Sequence, residues 1–475
     1  MNDFSISLSW SDFVFELSEL TKAIPNAPPL YLVGGAVRDA YLRRGIEDID
    51  VAVDGDAIAV ARFVTDALDA DIYIMDRERD VARVFVKGDD SAVTIDFAKL
   101  RGATLDDDLR ARDFTMNAMA ADLLGDPNAL IDPLKGVADL RQKVLRRCSP
   151  RSIANDPIRA LRAVRLSVQF DLKIHPDTGT DIRQHSSGLS KISPERVRDE
   201  FFKLLGLAKA ARGLRVLAHI GVLQQILPLG ADRPEISLAV VERMTVILSA
   251  ISSRRTDNTA AAFDLGMLVI QLDRYRGALQ SHLMRIYGNG RTHAELLLLA
   301  ALLHSFGGSD RQTGGAGSST LAQAAVKSLR LTNDEARNLA AALENCRAII
   351  EREGWSALDQ HRFWYRLKEG GIDAILLGAA IVLGTAGSAL KQADWLQFVD
   401  RSTILLEAYF NRYDTIVNPA LLLDGNAVQG LLGTGRGPRI GRILTALREA
   451  QATGVVNSVD EARDFVLRSA EGGAD

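Results

Sequence analysis

The sequence predicts an α+β protein: an amino-terminal head built on a mixed sheet, followed by an all-helical remainder. Three observations carry this. Up to about residue 145, short β-branched runs alternate with helical patterns. From about Asp156 onward the strand signal fades, and Ala, Leu and Arg recur at helical spacing. The chain is also long, with 475 residues that are 47% hydrophobic and 25% charged, so several domains are expected rather than one.

In the head, Leu30–Val33, Ile49–Val53, Asp71–Ile74, Arg83–Val86 and Val93–Phe97 read as strands. Helical stretches near Ala36–Arg43 and Ala57–Leu68 follow the first two. Beyond them, Pro157 to Leu166 is a strong helical pattern, and a Gly/Ser-rich loop is expected from Phe306 to Ser319. The expected division is a head over 1–145, a helical neck over 146–215, a helical body over 216–415 and a tail over 416–475. No short-period repeat appears, which argues against a regular solenoid.

Composition excludes several classes. Cys148 and Cys346 are far apart and form no C-x-x-C unit, which points to a reduced, cytoplasmic setting without a disulfide framework. The first residues carry no basic segment followed by an apolar core, so no export signal is expected. The uncharged run Ile375–Leu390 is short of the ~20 apolar residues of a spanning helix and is punctuated by glycines, so it is expected to be buried in protein, with no membrane partner. The net charge of −4 lacks the basic footprint of a nucleic-acid binder, so any RNA surface must be local. One basic stretch stands out: Arg141, Lys143, Arg146, Arg147, Arg151, Arg159, Arg162, Arg165 and Lys173, opposed only by Asp156 and Asp171. Its place directly after the motifs below favours phosphate contact.

The chemistry gathers in two motifs. In Tyr31-Leu32-Val33-Gly34-Gly35-Ala36-Val37-Arg38-Asp39, a strand enters a Gly-Gly turn and then a helix. Gly34 and Gly35 allow close backbone approach to a phosphate, and Arg38 adds a guanidinium for a triphosphate. In Glu47-Asp48-Ile49-Asp50-Val51, Asp48 and Asp50 are two apart on a strand and share a face, while Ile49 and Val51 point into the core. Two carboxylates on one face repel unless a cation separates them. Mg2+, which prefers carboxylates plus substrate phosphates, is the natural partner. Asp96, on a later strand, is a third carboxylate placed to assist deprotonation of an attacking hydroxyl.

These residues carry a resemblance. Gly-Gly-x-Val-Arg-Asp, Asp-x-Asp, Arg112-Asp113-Phe114-Thr115-Met116-Asn117, Ile131-Asp132-Pro133-Leu134-Lys135-Gly136, Asn155-Asp156-Pro157-Ile158-Arg159-Ala160-Leu161-Arg162 and Ser193-Pro194-Glu195-Arg196-Val197 stand in order over roughly the first 205 residues. The ordered set resembles the class II tRNA nucleotidyltransferase and poly(A) polymerase family. The resemblance implies a polymerase-beta-like nucleotidyltransferase head in which Asp48 and Asp50 hold two Mg2+ ions and Gly34, Gly35 and Arg38 cradle the phosphates. It implies that Arg112, Asp113 and Asn117 handle the nucleotide's sugar and phosphates. Asp156 and Arg159 match the pair that reads the incoming base, with Arg162 continuing the same face and Glu195 and Arg196 bracing it. Donor-only Arg and acceptor-only Asp, one helical turn apart, can imitate a Watson–Crick edge.

The implied activity is addition of C and A from CTP and ATP to the 3′ end of tRNA; no protein partner can be inferred. Asn155 stands where many relatives carry an acidic residue. Between Arg101 and Asp106 the connection is only Gly102-Ala103-Thr104-Leu105, shorter than in many full CCA-adding relatives and a feature of members that add only CC. CC addition, A addition, poly(A) synthesis and a catalytically inactive RNA-binding protein therefore stay open beside CCA addition. The run Leu296–Gly307 resembles an HD phosphohydrolase helix, but Ser305 replaces the metal-binding Asp, so His304 is expected to be structural. The six other histidines show no metal-ligand spacing. Leu422–Val428, Gly437-Pro438-Arg439-Ile440-Gly441 and Glu461-Ala462 resemble the tail that the family places against tRNA, with Arg436, Arg439 and Arg442 as phosphate contacts.

Overall fold

The computed structural model describes residues 8–46, 48–87, 93–227, 238–252, 272–306, 316–386 and 391–471. The chain divides into two compact units, Met1–Glu200 with His219–Gln225, and Phe201–Ala218 with Ile226–Asp475.

The first unit opens with a helix that sequence reading passed over, α1 (Asp12–Lys22), which buries Val14 and Leu17. It then follows the expected order: β1 (Leu30–Val33), α2 (Gly35–Tyr41), β2 (Asp48–Val53), α3 (Ala57–Leu68), β3 (Asp71–Asp76), β4 (Val81–Val86) and β5 (Val93–Lys99). After α4 (Leu105–Ala111), two short strands, β6 (Ala120–Asp122) and β7 (Leu130–Ile131), complete one seven-stranded sheet of order β3-β4-β5-β2-β1-β6-β7. The sheet is mixed. β2 and β5 pair in parallel while its other neighbours are antiparallel.

Strand alternation sorts the two faces. Ile49, Val51, Val84, Ile95 and Phe97 are buried, and α3 packs on β3, β4 and β5. α3 is placed by its caps: Asp56 accepts from Ala59 N, and Asp80 accepts from Ala57 N and Ile58 N. The opposite face carries Val33 and Ala52, packed with Leu100, Leu109, Ala118 and Ala120. Asp48 and Asp50 belong to this second face, beside its apolar patch.

The same unit continues with α5 (Gly136–Arg141), β8 (Val144–Leu145), α6 (Ser152–Asn155) and α7 (Ile158–Gln169). Asp132 accepts from the backbone N–H of Gly136 and Val137, and a Cβ at Gly136 would fall 2.2 Å from the Thr115 carbonyl oxygen. The Ile131–Gly136 motif is therefore a helix-start device pressed against the turn that holds Asn117. β9 (Lys173–Ile174) pairs in parallel with β8. That is a correction to the all-helical reading of this region: two residues suffice for a bridge that no periodicity announces. α8 (Pro176–His185) and α9 (Pro194–Leu205) follow.

The second unit is helical among the described residues. The uncharged run lies in the helix Gly370–Ala386, most of whose described residues are buried, with residues 387–390 outside the described ones. Its glycines serve helix packing. A Cβ at Gly384 would sit 2.8 Å from the Val240 backbone, and one at Gly378 3.0 Å from the Phe398 ring. No described helix is long and apolar enough to cross a membrane. The expected Phe306–Ser319 loop is shorter than read: one helix runs through Phe306 and the next begins at Ala316, with residues 307–315 outside the described ones. Small residues such as Ala316 and Ser318 are as compatible with a helix start as with a loop, so composition misplaced the boundary. The carboxyl-terminal helices Gly425–Leu432, Pro438–Ala452 and Val459–Glu471 share a small core of Leu423, Val428, Ile443, Leu447 and Val466.

Candidate active site

The site lies in the first unit, on the sheet face that bears Asp48 and Asp50. Register aligns a row across four strands: Val33 on β1 opposes Asp50 on β2, Asp50 aligns with Asp96 on β5, and Asp96 opposes Arg83 on β4. Paired residues project to the same side, so the row brings two carboxylates and a guanidinium together. Arg83 clamps Asp96 with two bonds of 2.7 Å, one to each carboxylate oxygen. Asp96 thus stands beside Asp50 in register with both oxygens engaged by Arg83. Among the described residues, the carboxylates of Asp48, Asp50 and Asp96 do not converge to within 4.8 Å of one another as a set of three.

Asp50 is the most perturbed member. Burial raises its carboxyl above the ordinary range, Arg112 works against this, and Asp96 and Asp48 push it further up. Among the described residues, no hydrogen bond reaches the side chain of Asp48 or Asp50. A pair of acceptors without donors, with Arg112 as counter-charge, is a site that a cation would relieve.

Gly34 caps α2 with φ 75° and ψ −136°, a conformation that glycine adopts without strain. A Cβ there would stand 2.7 Å from Asp50 Oδ2 and 3.1 Å from Arg112 Nη1. The glycine turn, Asp50 and Arg112 therefore meet at one point. At Gly35 a Cβ would meet Arg38 Nη2 only at 3.4 Å, an ordinary contact. Gly34→Ala is expected to strain the turn by about 1–3 kcal/mol and to lower nucleotidyl transfer on the order of 100-fold by displacing Asp50. Gly35→Ala is expected to have a much smaller effect, and steady-state rates on the two variants compare them directly.

Behind this face runs a buried polar network. Arg38 is nearly buried: it donates through Nε and Nη2 to Asp39, donates through Nη1 to Asn117 Oδ1 at 2.6 Å, and stacks 4.4 Å from the Phe170 ring centre. Asn117 Nδ2 donates to Asp113, which also accepts from Phe114 N and, on its other oxygen, from Arg162 Nε and Nη2. Burial would raise the Asp113 carboxyl, but Arg162 and these donors hold it below the ordinary range. Arg162 also lies 3.8 Å from Glu200, which accepts from Arg165 at 2.5 Å. Arg38, Asp113, Asn117 and Arg162 are thus tied to one another inside the protein.

Arg112 donates to Asp108, and its carbonyl accepts from Arg159 Nη1 at 3.0 Å. Arg159 also bonds the Ala111 carbonyl and Ser152. Asp156 stands at the start of α7, where its carbonyl accepts from Arg159 N at 3.0 Å one turn on, and its carboxylate pairs with Arg196 at 3.0 Å. The basic stretch is largely spent internally: Arg146 pairs with Asp139, Arg147 with Asp181 and Arg165 with Glu200. This corrects the expectation of a phosphate-facing stripe: Asp181 and Glu200 come from helices distant in sequence, and Asp139 lies just before the stretch. Arg83, Asp108, Ser152 and Glu200 escaped sequence reading. Only strand and helix register reveals them.

A glycine turn against a D-x-D pair, on a mixed sheet followed by helices, is the site of a nucleotidyltransferase. Residues 30–146 match the Poly A polymerase head domain, and residues 171–233 match the probable RNA and SrmB-binding site of polymerase A. The chain is 31% identical to the CC-adding tRNA nucleotidyltransferase of Geobacter sulfurreducens, covering 92% of this chain and 91% of that protein. It is 32% identical to the A-adding tRNA nucleotidyltransferase of Deinococcus radiodurans, over 94% and 97%. The chain belongs to the class II tRNA nucleotidyltransferase family. Its fold matches that of a CCA-adding enzyme solved with ATP, at a TM-score of 0.65 and 21% identity, over 97% of this chain and 95% of that one.

Proposed function

We propose that this chain joins nucleotides from CTP and ATP to the 3′ end of tRNA without a template, building its terminal C and A residues. The observation that supports this most strongly is the meeting of Asp50 with the Gly34 turn and Arg112, with Asp48 on the same face of the strand. The donor-free carboxylates fit a hard divalent cation, Mg2+ by its preference for carboxylate and phosphate oxygens. When bound, such an ion supplies neutralisation of the triphosphate and activation of the attacking hydroxyl.

The chain's own residues do the rest. Asp48 and Asp50 present the ligand oxygens. Gly34 lets the phosphates approach the backbone, with Gly35 beside it. Arg112, whose guanidinium lies beside the Gly34 turn, offers a positive charge to the triphosphate. The terminal ribose hydroxyl attacks the α-phosphorus, a P–O bond forms, the bond to the β-phosphate oxygen breaks, and pyrophosphate leaves as the hydroxyl proton passes to solvent. Asp96, clamped by Arg83, steadies the carboxylate row. Arg38, Asp113, Asn117 and Arg162 hold the head's turn to the neck helix that carries Arg159. Asp156 and Arg159 present acceptor and donor to the incoming base, with Arg196 orienting Asp156.

A second reading, addition of CC alone, is favoured by one specific feature. The connection between Leu100 and α4 is short and is closed by a capping box in which Thr104 and Asp107 bond reciprocally. The test is a primer series: tRNA ending before CCA, after C and after CC, each offered CTP or ATP with Mg2+. Extension of all three primers supports CCA addition. Arrest after CC identifies the restricted enzyme, and extension of the last primer alone identifies an A-adding one. No extension of any primer would overturn the proposal.

A further inference from the structure

The helical second unit holds a cluster that lies outside the nucleotidyl-transfer chemistry. His282 on the helix Arg276–Met284, His293 at the start of the helix His293–Phe306 and Asp373 on the helix Gly370–Ala386 converge, each buried, with one ligand atom apiece within 4.8 Å of the others. The sequence reading found no metal-ligand spacing among these histidines. The spacing is absent because three separate helices supply the set.

His282 Nε2 lies 2.7 Å from Asp373 Oδ1, and His293 Nδ1 lies 3.5 Å from Asp373 Oδ2. The second separation is longer than a well-formed hydrogen bond. His293 Nδ1 is buried without a hydrogen-bond partner, as is His282 Nδ1. An orphaned buried nitrogen is unfavourable, and here one is aimed at a carboxylate. The two imidazole planes meet edge to face at 4.6 Å, and Tyr287 stacks on the outer face of His293 at 4.5 Å. Asn338 fixes the Tyr287 hydroxyl at 2.8 Å. The His293 ring is thus held in place from behind. The Asp373 carboxylate is buried with both imidazoles facing it, and a buried carboxylate is costly unless partnered.

We infer that His282, His293 and Asp373 form a structural binding site for a first-row divalent cation of the Zn2+ class. Two imidazoles and one carboxylate are a donor set that such an ion takes. Ligand atoms around a tetrahedral ion with bonds of about 2.0 Å lie roughly 3.3 Å apart, so the cluster closes with a movement of roughly 1.5 Å at most. The chemistry is wrong for Mg2+, which favours oxygen ligands. The ion would pin three helices of the second unit and give the orphaned His293 nitrogen its partner.

The test is titration of Co2+ into the chelator-treated, full-length chain with Mg2+ in excess. Visible d–d bands of a tetrahedral ion, without a thiolate charge-transfer band, should saturate at about one equivalent and be displaced by Zn2+. His293→Gln should weaken that affinity on the order of 100-fold. The paired variant Asp48→Asn with Asp50→Asn should leave the spectrum intact, which separates this site from the head. Zn2+ should also raise the melting temperature of the wild-type chain, and the chelator should reverse the rise. Absence of the bands from the wild-type chain overturns the inference, because that measurement needs no variant to fold. So does an unchanged spectrum in a folded His293→Gln protein.

Discussion

Asp50→Asn is expected to lower CTP incorporation into tRNA on the order of 1,000-fold while leaving tRNA binding within a few-fold of wild type. The size follows from removing one ligand charge where several kcal/mol of transition-state neutralisation is concentrated. The selectivity follows from position. Asp50 accepts no hydrogen bond from the described residues, so its charge supports no fold contact that an amide would break. Asp48→Asn should behave alike, and Asp48 is the more exposed of the two. Single-turnover rates and gel-shift affinities on the same protein preparations read both halves. Loss of tRNA binding in step with loss of rate would assign the pair a structural role instead.

The second large effect concerns stability. Asp113→Ala leaves Arg162 without the oxygen that accepts from its Nε and Nη2, and Asn117 without its anchor. Breaking a buried pair from one side costs about 3–5 kcal/mol. With the Arg162 side chain 34% exposed, solvent screening places the expected loss near the low end, about 3 kcal/mol. The pH dependence has a definite sign. The folded-state pKa of Asp113 is depressed, so its contribution is present above the unfolded value of about 3.9 and is lost as pH falls through the folded value. The difference in melting temperature between wild type and Asp113→Ala should therefore be full at neutral pH and shrink in acid. A difference independent of pH would mean that packing, not charge, holds the joint.

Strands β1 to β5 were legible as β-branched runs bounded by turns, whereas β6 and β7 are too short to show a pattern, and Asp48 and Asp50 were legible because alternation fixes their face before any pairing is known. Asp96 was placed on a strand correctly, yet its clamp by Arg83 depends on which strands become neighbours, and local pattern carries no register information. The same limit hid Asp108 behind Arg112 and Glu200 behind Arg162 and Arg165. Asp156 and Arg159 stand one turn apart, but their side chains take partners that spacing does not announce, Arg196 for Asp156 and the Ala111 and Arg112 carbonyls for Arg159. The basic stretch misled for a related reason: its counter-charges at Asp181 and Glu200 are supplied by folding. His282, His293 and Asp373 were illegible altogether, since no short motif spans three helices.

The proposed chemistry requires Asp48 and Asp50 to be joint ligands of a divalent cation beside the glycine turn. Crystals grown with CTP and Mn2+, measured at the manganese edge, address this most directly. An anomalous peak touching both carboxylates and the triphosphate is the predicted result. A nucleotide bound in the head with its metal held elsewhere, or with neither aspartate in contact, would contradict it.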